Sequence, residues 1–144
     1  MQINFEIQLD SQLITVDELN EFQAIVGNPL PEDYRQHMLI YNGGDAIELD
    51  AAHISNPEGG SGISDFYPIK YGGNTIEEVN EILNDIIPLG YLIIGRTRGG
   101  GKIIISLNND GTYGNTKEWY PDGTINDLST SFTQLLNDQV EAVE

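Results

Sequence analysis

The sequence predicts an α+β fold in which helices come first, an antiparallel meander of strands follows and a helix closes the chain. Hydrophobic residues recur with a helical period in several segments, and β-rich runs elsewhere are separated by turn sequences rich in Gly, Asn and Asp. Helix-capping sequences precede two of the periodic segments. The 144 residues contain no internal repeat and have room for one domain, so we expect a single domain over 1–144.

The first elements are a short strand and a helix. Apolar and polar residues alternate over 3–9, which is typical of a half-buried strand. Thr15-Val16-Asp17-Glu18 matches a capping box, in which the threonine hydroxyl and the glutamate carboxylate bond each other's backbone amide. The apolar spacing behind it predicts a helix over 16–26, and Gly27 supplies its end.

A second helix begins at Leu30-Pro31-Glu32-Asp33. Proline is tolerated in the first turn because its missing N–H would have had no partner there. The spacing of Tyr34, Met38 and Tyr41 directs one face of this helix to the core. Asn42-Gly43-Gly44 ends it with residues that accept left-handed backbone conformations.

The second half of the chain predicts a helix, a meander and a closing helix. Thr75-Ile76-Glu77-Glu78 matches another capping box, and the helix it opens has Ile76, Val79, Ile82 and Leu83 as its apolar residues. The runs 91–95 and 102–107 form a hairpin, and 116–120 adds a third antiparallel strand. The closing helix has its apolar face at Leu128, Phe132, Leu135 and Leu136.

The segment 45–73 contains two possible strands, at 47–51 and 66–71, around a loop rich in Gly and Ser. It also contains the one cluster of potential metal ligands in the sequence, formed by Asp45, Glu48, Asp50 and His53. If 47–51 is a strand, Glu48 and Asp50 share one face, and a solvated strand face then explains them without a metal. We therefore expect neither a metal nor a cofactor.

Charge is the outlying property of the composition. Twenty-three acidic residues face six basic ones, for a net charge of −17, and ten of the acids lie in residues 1–50. Like charge repels phosphate, so nucleic acid and anionic membranes are excluded as partners. Two interpretations remain open, namely that the charge maintains solubility or that it attracts a basic protein. On the second interpretation, the basic segment 96–102 is the part of the surface least suited to the partner.

The sequence contains no cysteine, so it has neither disulfides nor a thiolate nucleophile. It has no apolar run of transmembrane length, and its first residues lack the basic and apolar regions of a signal peptide. We expect a cytoplasmic protein.

The segments that come nearest to catalytic motifs do not match them. Gly99-Gly100-Gly101-Lys102 is not a phosphate-binding loop, because Arg96 occupies the position of the first glycine and Ile103 that of the Ser or Thr. Gly59-Gly60-Ser61-Gly62 is not a nucleophile elbow. His37, beside Arg35 and Gln36, is expected on the polar side of the second helix. We expect no enzymatic activity.

Several segments resemble, in order, the signature of the SUKH superfamily. They are Leu30-Pro31-Glu32-Asp33-Tyr34-Arg35, Leu39-Ile40-Tyr41-Asn42-Gly43-Gly44, Ile87-Pro88-Leu89-Gly90 with Ile94-Gly95, Glu118-Trp119, and Ser131-Phe132-Thr133-Gln134-Leu135-Leu136. The agreement covers about residues 15–138. We interpret Leu30, Tyr34, Leu39 and Phe132 as core, and Asn42, Gly43, Gly44, Pro88 and Gly95 as turn residues. Trp119 is either core or a contact, with core favoured.

The resemblance implies a twisted, mostly antiparallel sheet flanked by helices, and a function in protein binding. Bacterial members of the superfamily are typically immunity proteins that neutralise toxins, often nucleases, whereas fungal relatives act in cell-wall signalling. An immunity protein for a basic toxin domain is therefore the leading hypothesis, and a non-catalytic regulatory scaffold is the alternative. The residues expected to contact the partner are Asp45, Glu48, Asp50, Asp65, Tyr67 and Tyr113. The oligomeric state stays open.

Overall fold

The computed structural model describes residues 4–47 and 62–141. The helices are α1 (Val16–Val26), α2 (Glu32–Tyr41), α3 (Ile76–Ile82) and α4 (Phe132–Glu141). The strands are β1 (Asn4–Glu6), β2 (Gly44–Ile47), β3 (Ile63–Phe66), β4 (Tyr91–Thr97), β5 (Lys102–Ser106), β6 (Thr116–Trp119) and β7 (Ile125–Ser129).

The seven strands form one sheet in which each strand pairs antiparallel with the next along the chain, in the order β1 to β7. Three helices are inserted between strands of this meander, with α1 and α2 between β1 and β2 and α3 between β3 and β4. Helix α4 follows β7. The α+β prediction is confirmed. Among the described residues, no helix is long and apolar enough to cross a membrane.

The predicted boundaries of the first helix, 16–26, are confirmed by α1. The Thr15 hydroxyl accepts from the Glu18 amide at 3.1 Å, and the Glu18 carboxylate accepts from the Thr15 amide at 2.9 Å, so the capping box is complete. Gly27 ends the helix in the left-handed region with φ 89°. At α3 only half of the expected box forms, because the Glu78 carboxylate accepts from the Thr75 hydroxyl at 3.2 Å instead of from the Thr75 amide.

Helices α2 and α4 pack against the sheet face that carries Phe5 and Phe66. The Phe132 ring lies 5.2 Å from Phe66 and 5.3 Å from Tyr34, measured between ring centroids. Leu30, Tyr34 and Phe132 are buried as predicted, as is Trp119, while Leu39 is half-buried against the core. Ring contacts of this kind join α2, α4 and two strands, β1 and β3, into one aromatic cluster.

His37 belongs to this cluster, and the prediction that it lies on a polar surface is wrong. It is three residues after Tyr34 in α2 and therefore shares the buried side of the helix. Its ring packs edge-on against Phe5 and Phe66, and Nε2 lies 2.7 Å from the Gly43 carbonyl oxygen. Burial lowers the pKa of His37 to about 4 despite that hydrogen bond. The imidazole is therefore neutral at pH 7.

Two features of the second half of the sheet differ from the sequence prediction. Leu128 lies in β7 and not in the closing helix, which begins at Phe132. Polar Asn126 and Asp127 interrupt the apolar pattern of β7, so its sequence did not indicate a strand. Gly95 is not a turn residue but lies inside β4. A Cβ atom there would be 2.6 Å from the Asp65 carbonyl oxygen, so glycine is required by close approach.

Four predicted segments are shorter, displaced or differently exposed. The first strand covers only Asn4–Glu6, and Ile7 and Leu9 beyond it are exposed. The strand expected at 66–71 lies earlier, as β3, and ends at Phe66. The strand expected at 47–51 overlaps β2 at Ile47 alone, and its other residues lie outside the described ones. In α3, the expected core residue Ile82 is 78% exposed.

The asparagine of the Asn42-Gly43-Gly44 segment connects three parts of the fold. Its side-chain amide donates to the carbonyls of Gln12 and Ile69, both at 2.9 Å, and its oxygen accepts from the Ile69 amide at 2.8 Å. Asn42 is fully buried and has φ 43°. Gly43 follows at φ 96°, where a Cβ would be 2.6 Å from the Phe66 carbonyl oxygen. The predicted turn geometry is confirmed at Asn42 and Gly43, whereas Gly44 already belongs to β2, where it pairs with Phe66.

The side chain of Asn80 forms a similar set of hydrogen bonds to the backbone beside β4. Its side chain donates to the Ile93 carbonyl and accepts from the Ile93 amide, both at 2.8 Å, and donates to the Ile76 carbonyl at 2.8 Å. An asparagine side chain thus takes the place of a neighbouring strand at the point where the β4 register shifts.

We expect Asn42→Ala to lower the free energy of unfolding by about 2–4 kcal/mol, because it leaves buried backbone groups of Ile69 and Gln12 without partners. Urea denaturation at pH 7 measures the change. Asn109→Ala is the matched control, since Asn109 is exposed in a turn, and it should cost less than about 0.5 kcal/mol. Equal effects of the two substitutions would show that the bonds of Asn42 do not stabilise the fold.

His37 predicts a pH dependence of stability. Its folded pKa, about 4, lies below the unfolded value of 6.5, so its contribution is present above pH 6.5 and is lost as the pH falls toward 4. Between pH 7 and 5 this amounts to about 2 kcal/mol. Urea unfolding of the wild type and of His37→Gln at both pH values isolates the effect, because the carboxylates are common to both proteins. A parallel loss in both proteins would contradict the prediction.

Candidate partner-binding site

Charged side chains form a row across the first five strands. Glu6 on β1 lies directly opposite Asp45 on β2, which in turn lies opposite Asp65 on β3. The row continues with Arg96 on β4 and Lys102 on β5. Residues directly opposite each other in neighbouring strands project from the same face of the sheet. Three acids and two bases therefore follow one another on that face.

Asp65 and Arg96 form an ion pair at the middle of the row. Arg96 donates to one carboxylate oxygen of Asp65 through Nη2 at 2.8 Å and Nε at 2.9 Å. The Asp65 side chain is only 7% exposed, whereas that of Arg96 is 52% exposed. The hydrogen bond to Asp65 raises the pKa of Arg96. Arg96 thus balances the charge of Asp65 within the fold.

Glu6 and Asp45, at the acidic end of the row, differ from Asp65 because both are exposed. Asp45 accepts from the neutral Gln8 side chain at 3.2 Å. Among the described residues, no Lys, Arg or His lies within salt-bridge distance of either carboxylate. Like charges directly opposite each other destabilise a sheet, and neither acid forms an ion pair within the described residues, although Arg96 attracts Asp45 at longer range.

A cleft of about 270 Å³ opens beside the row. Its lining includes Leu9, Asp10, Asp45, Asp65, Tyr67 and Arg96. Leu9 is fully exposed, so one apolar side chain stands beside the carboxylates. Tyr67 is buried, and its hydroxyl accepts from the Lys102 ammonium at 2.6 Å. The cleft combines an acidic border, an apolar border and a basic side.

Glu18 fixes the loop that supplies Tyr67 to the cleft. Its carboxylate accepts from the Tyr71 hydroxyl, from the Thr15 amide and from the Lys70 ammonium, which lies at 2.9 Å. These bonds, led by that of Tyr71, lower the pKa of Glu18 to about 2. One carboxylate therefore caps α1 and also holds the loop after β3.

The structure brings together three of the residues expected to contact a partner, Asp45, Asp65 and Tyr67. Tyr113 lies elsewhere, 43% exposed, with its hydroxyl donating to the Pro29 carbonyl at 2.8 Å. Glu48 and Asp50 lie outside the described residues. The binding role of all six stays a prediction.

Sequence reasoning missed Glu6, Leu9 and Asp10. The pairing of β1 with β2 places Glu6 beside Asp45, and only a known register could have indicated it. From the sequence we also expected the basic segment 96–102 to lie apart from the acidic contact residues. In the structure, Arg96 is paired with Asp65 in the same cleft. Within 4–47 and 62–141, no group of three or more potential ligands could hold a metal ion. Of the four candidate ligands considered, only Asp45 is among the described residues.

We expect Arg96→Met to lower the free energy of unfolding by about 1–2 kcal/mol, because Asp65 would be left buried without its counter-ion. The effect should be smaller than for a fully buried pair, since Arg96 is half exposed. Asp65→Asn combined with Arg96→Met should cost less than the sum of the two single changes. Additive costs in this double-mutant cycle, measured by urea denaturation, would show that the pair is not coupled.

The fold and the sequence agree with one known family. Residues 13–138 match the model of the SMI1 / KNR4 family (SUKH-1). A relative from Bacillus subtilis (strain 168), described as SPbeta prophage-derived uncharacterized protein YokK, is 25% identical over 111 residues. The match covers 66% of this chain and 58% of the relative, so it spans a little over half of the relative's length. The family match covers nearly the whole chain and agrees with the predicted resemblance, and the protein therefore belongs to the SMI1 / KNR4 family (SUKH-1).

Proposed function

We propose that the protein is an immunity protein, which binds a cognate bacterial toxin and neutralises it without catalysing a reaction. The observation that carries this proposal is the pair of exposed carboxylates, Glu6 and the cleft-lining Asp45, which lie opposite each other and form no ion pair within the described residues. The resemblance of the chain to a superfamily whose bacterial members are typically immunity proteins supports it. Exposed acids that form no ion pair within the described fold are suited to a basic partner.

A nuclease domain is the class of toxin that this surface suits best. A nuclease carries Lys and Arg side chains in its substrate groove, because it must bind phosphates. Asp45 and Glu6 can meet such side chains directly, while Leu9 supplies an apolar contact beside them. The net charge of −17 adds long-range attraction, which speeds the encounter of the two proteins. The toxin's groove would then be occupied by protein carboxylates instead of phosphates.

The relative supports a bacterial role over that of a regulatory scaffold. It is described as prophage-derived and comes from Bacillus subtilis, whereas the scaffold alternative rests on fungal members of the superfamily. Immunity requires only a folded surface that recognises one protein, and the cleft can provide one.

Co-expression tests this function directly. The probe is the C-terminal domain of the protein encoded by the adjacent upstream reading frame. We expect that domain to be toxic when expressed alone, and this protein to restore growth and to form a purifiable complex with it. A toxic neighbour that is neither neutralised nor bound would overturn the immunity proposal.

Within that complex, we expect Glu6→Gln combined with Asp45→Asn to slow association about 3–10-fold at low salt, because it removes the free end of the carboxylate row. Asp17→Asn combined with Glu21→Gln removes the same charge from exposed positions of α1 and is the matched control. Stopped-flow association at two salt concentrations measures both. Equal slowing by the two variants would assign the effect to net charge and not to the row.

A further inference from the structure

The outer side of α3 and of the turn after it is apolar and exposed. Ile82 is 78%, Ile86 51% and Leu89 94% exposed. The inner side of the same segment is also apolar, since Ile76 is buried and Val79, Leu83 and Ile87 pack against the core. One apolar side is therefore sufficient for folding, and the second has no partner among the described residues. We call Ile82, Ile86 and Leu89 the α3 ridge.

The ridge has a fixed backbone. Helical hydrogen bonds continue beyond α3, from the Leu83 amide to the Val79 carbonyl at 3.2 Å and from the Ile87 amide to the Leu83 carbonyl at 3.0 Å. Ile82 and Ile86 are four residues apart in this turn and so lie side by side. The Leu89 carbonyl accepts from the Asn108 side chain at 3.2 Å, which holds the next turn in place. A partner would meet a preformed surface.

Acidic residues surround the ridge. Glu78, Glu81 and Asp85 are exposed on the same segment, and residues 71–95 include no Lys or Arg. A two-fold contact with a second copy would bring these carboxylates against one another, and an anionic membrane would repel them. Charge complementarity therefore favours a basic protein as the occupant.

The described residues that flank 48–61 lie at the opposite end of β4 from the ridge. The turn with Leu89 leads into Tyr91, which pairs with Ser106 at one end of β4. The residues flanking 48–61 are Ile47, opposite Asn4, and Gly62, which precedes the pairing of Ile63 with Thr97 at the far end of β4.

We propose that the α3 ridge is a docking surface for the basic toxin domain, inserting Ile82, Ile86 and Leu89 into an apolar recess bordered by Lys and Arg side chains. This inference rests on the proposed function and assigns its main apolar contact. Helix α3 begins two residues after Asn74, which lines the cleft. Ile82 is six residues further along α3, about 9 Å of helix, and Ile86 lies in the turn that follows, so an interface of standard size is long enough to reach from the cleft to the ridge.

The test uses the complex with the C-terminal domain of the upstream neighbour. We expect Ile82→Ser combined with Leu89→Ser to weaken binding about 10–100-fold, mainly by faster dissociation, because two apolar anchors are lost. Ile25→Ser combined with Ile40→Ser is the matched control, since these side chains are also exposed on helices, and it should leave affinity unchanged. Urea midpoints establish that both variants are folded.

The outcomes separate the two proposals. If the wild type does not bind or neutralise the domain, the proposed function fails and the ridge inference falls with it. If the wild type binds and the ridge variant binds equally well, only the ridge inference is overturned. Sedimentation velocity supplies a further criterion, because a wild-type dimer that the ridge variant dissociates would assign the ridge to a second copy.

Discussion

The side chain of Asn42 is the constraint on which the arrangement of this fold depends. It ends α2, and its three hydrogen bonds fix the backbone before α1 and the loop after β3 relative to that end. The next residue, Gly43, approaches the backbone of Phe66 too closely for any side chain and presents its carbonyl to His37. The turn thereby positions β2 beside β3, which brings Asp45 opposite Asp65. The cleft follows from the geometry of this turn.

The sequence predicted those parts of the fold that local interactions determine. The capping box at Thr15, the glycine at the end of α1 and the β4–β5 hairpin depend on residues close in the chain. The predictions were wrong where packing between residues distant in the chain determines the structure. His37 has polar neighbours in sequence but aromatic neighbours in space, and the few apolar residues of β7 do not alternate regularly. For Ile82, helical periodicity could not distinguish a helix with one apolar side from a helix with two.

The candidate site was predictable in composition but not in arrangement. Asp45, Asp65 and Tyr67 were chosen for their charge or aromatic character, and they line one cleft. Their different situations became visible only in the structure, since Asp65 is buried against Arg96 whereas Asp45 is exposed. In the proposed complex, the carboxylates at the cleft and the apolar side chains on the ridge would make different contributions to binding. Long-range charge governs how fast two proteins meet, and desolvated apolar contacts govern how long they stay together.

The asparagine bonds have a consequence for how such a protein can diverge. The side-chain hydrogen bonds of Asn42 and Asn80 go only to backbone atoms of Gln12, Ile69, Ile76 and Ile93, so these bonds place no chemical requirement on the side chains at those positions. A scaffold held in this way can exchange many of its side chains and keep its shape. The side chains on the surface, including those proposed to contact a partner, can then change while the hydrogen bonds that hold the framework stay the same.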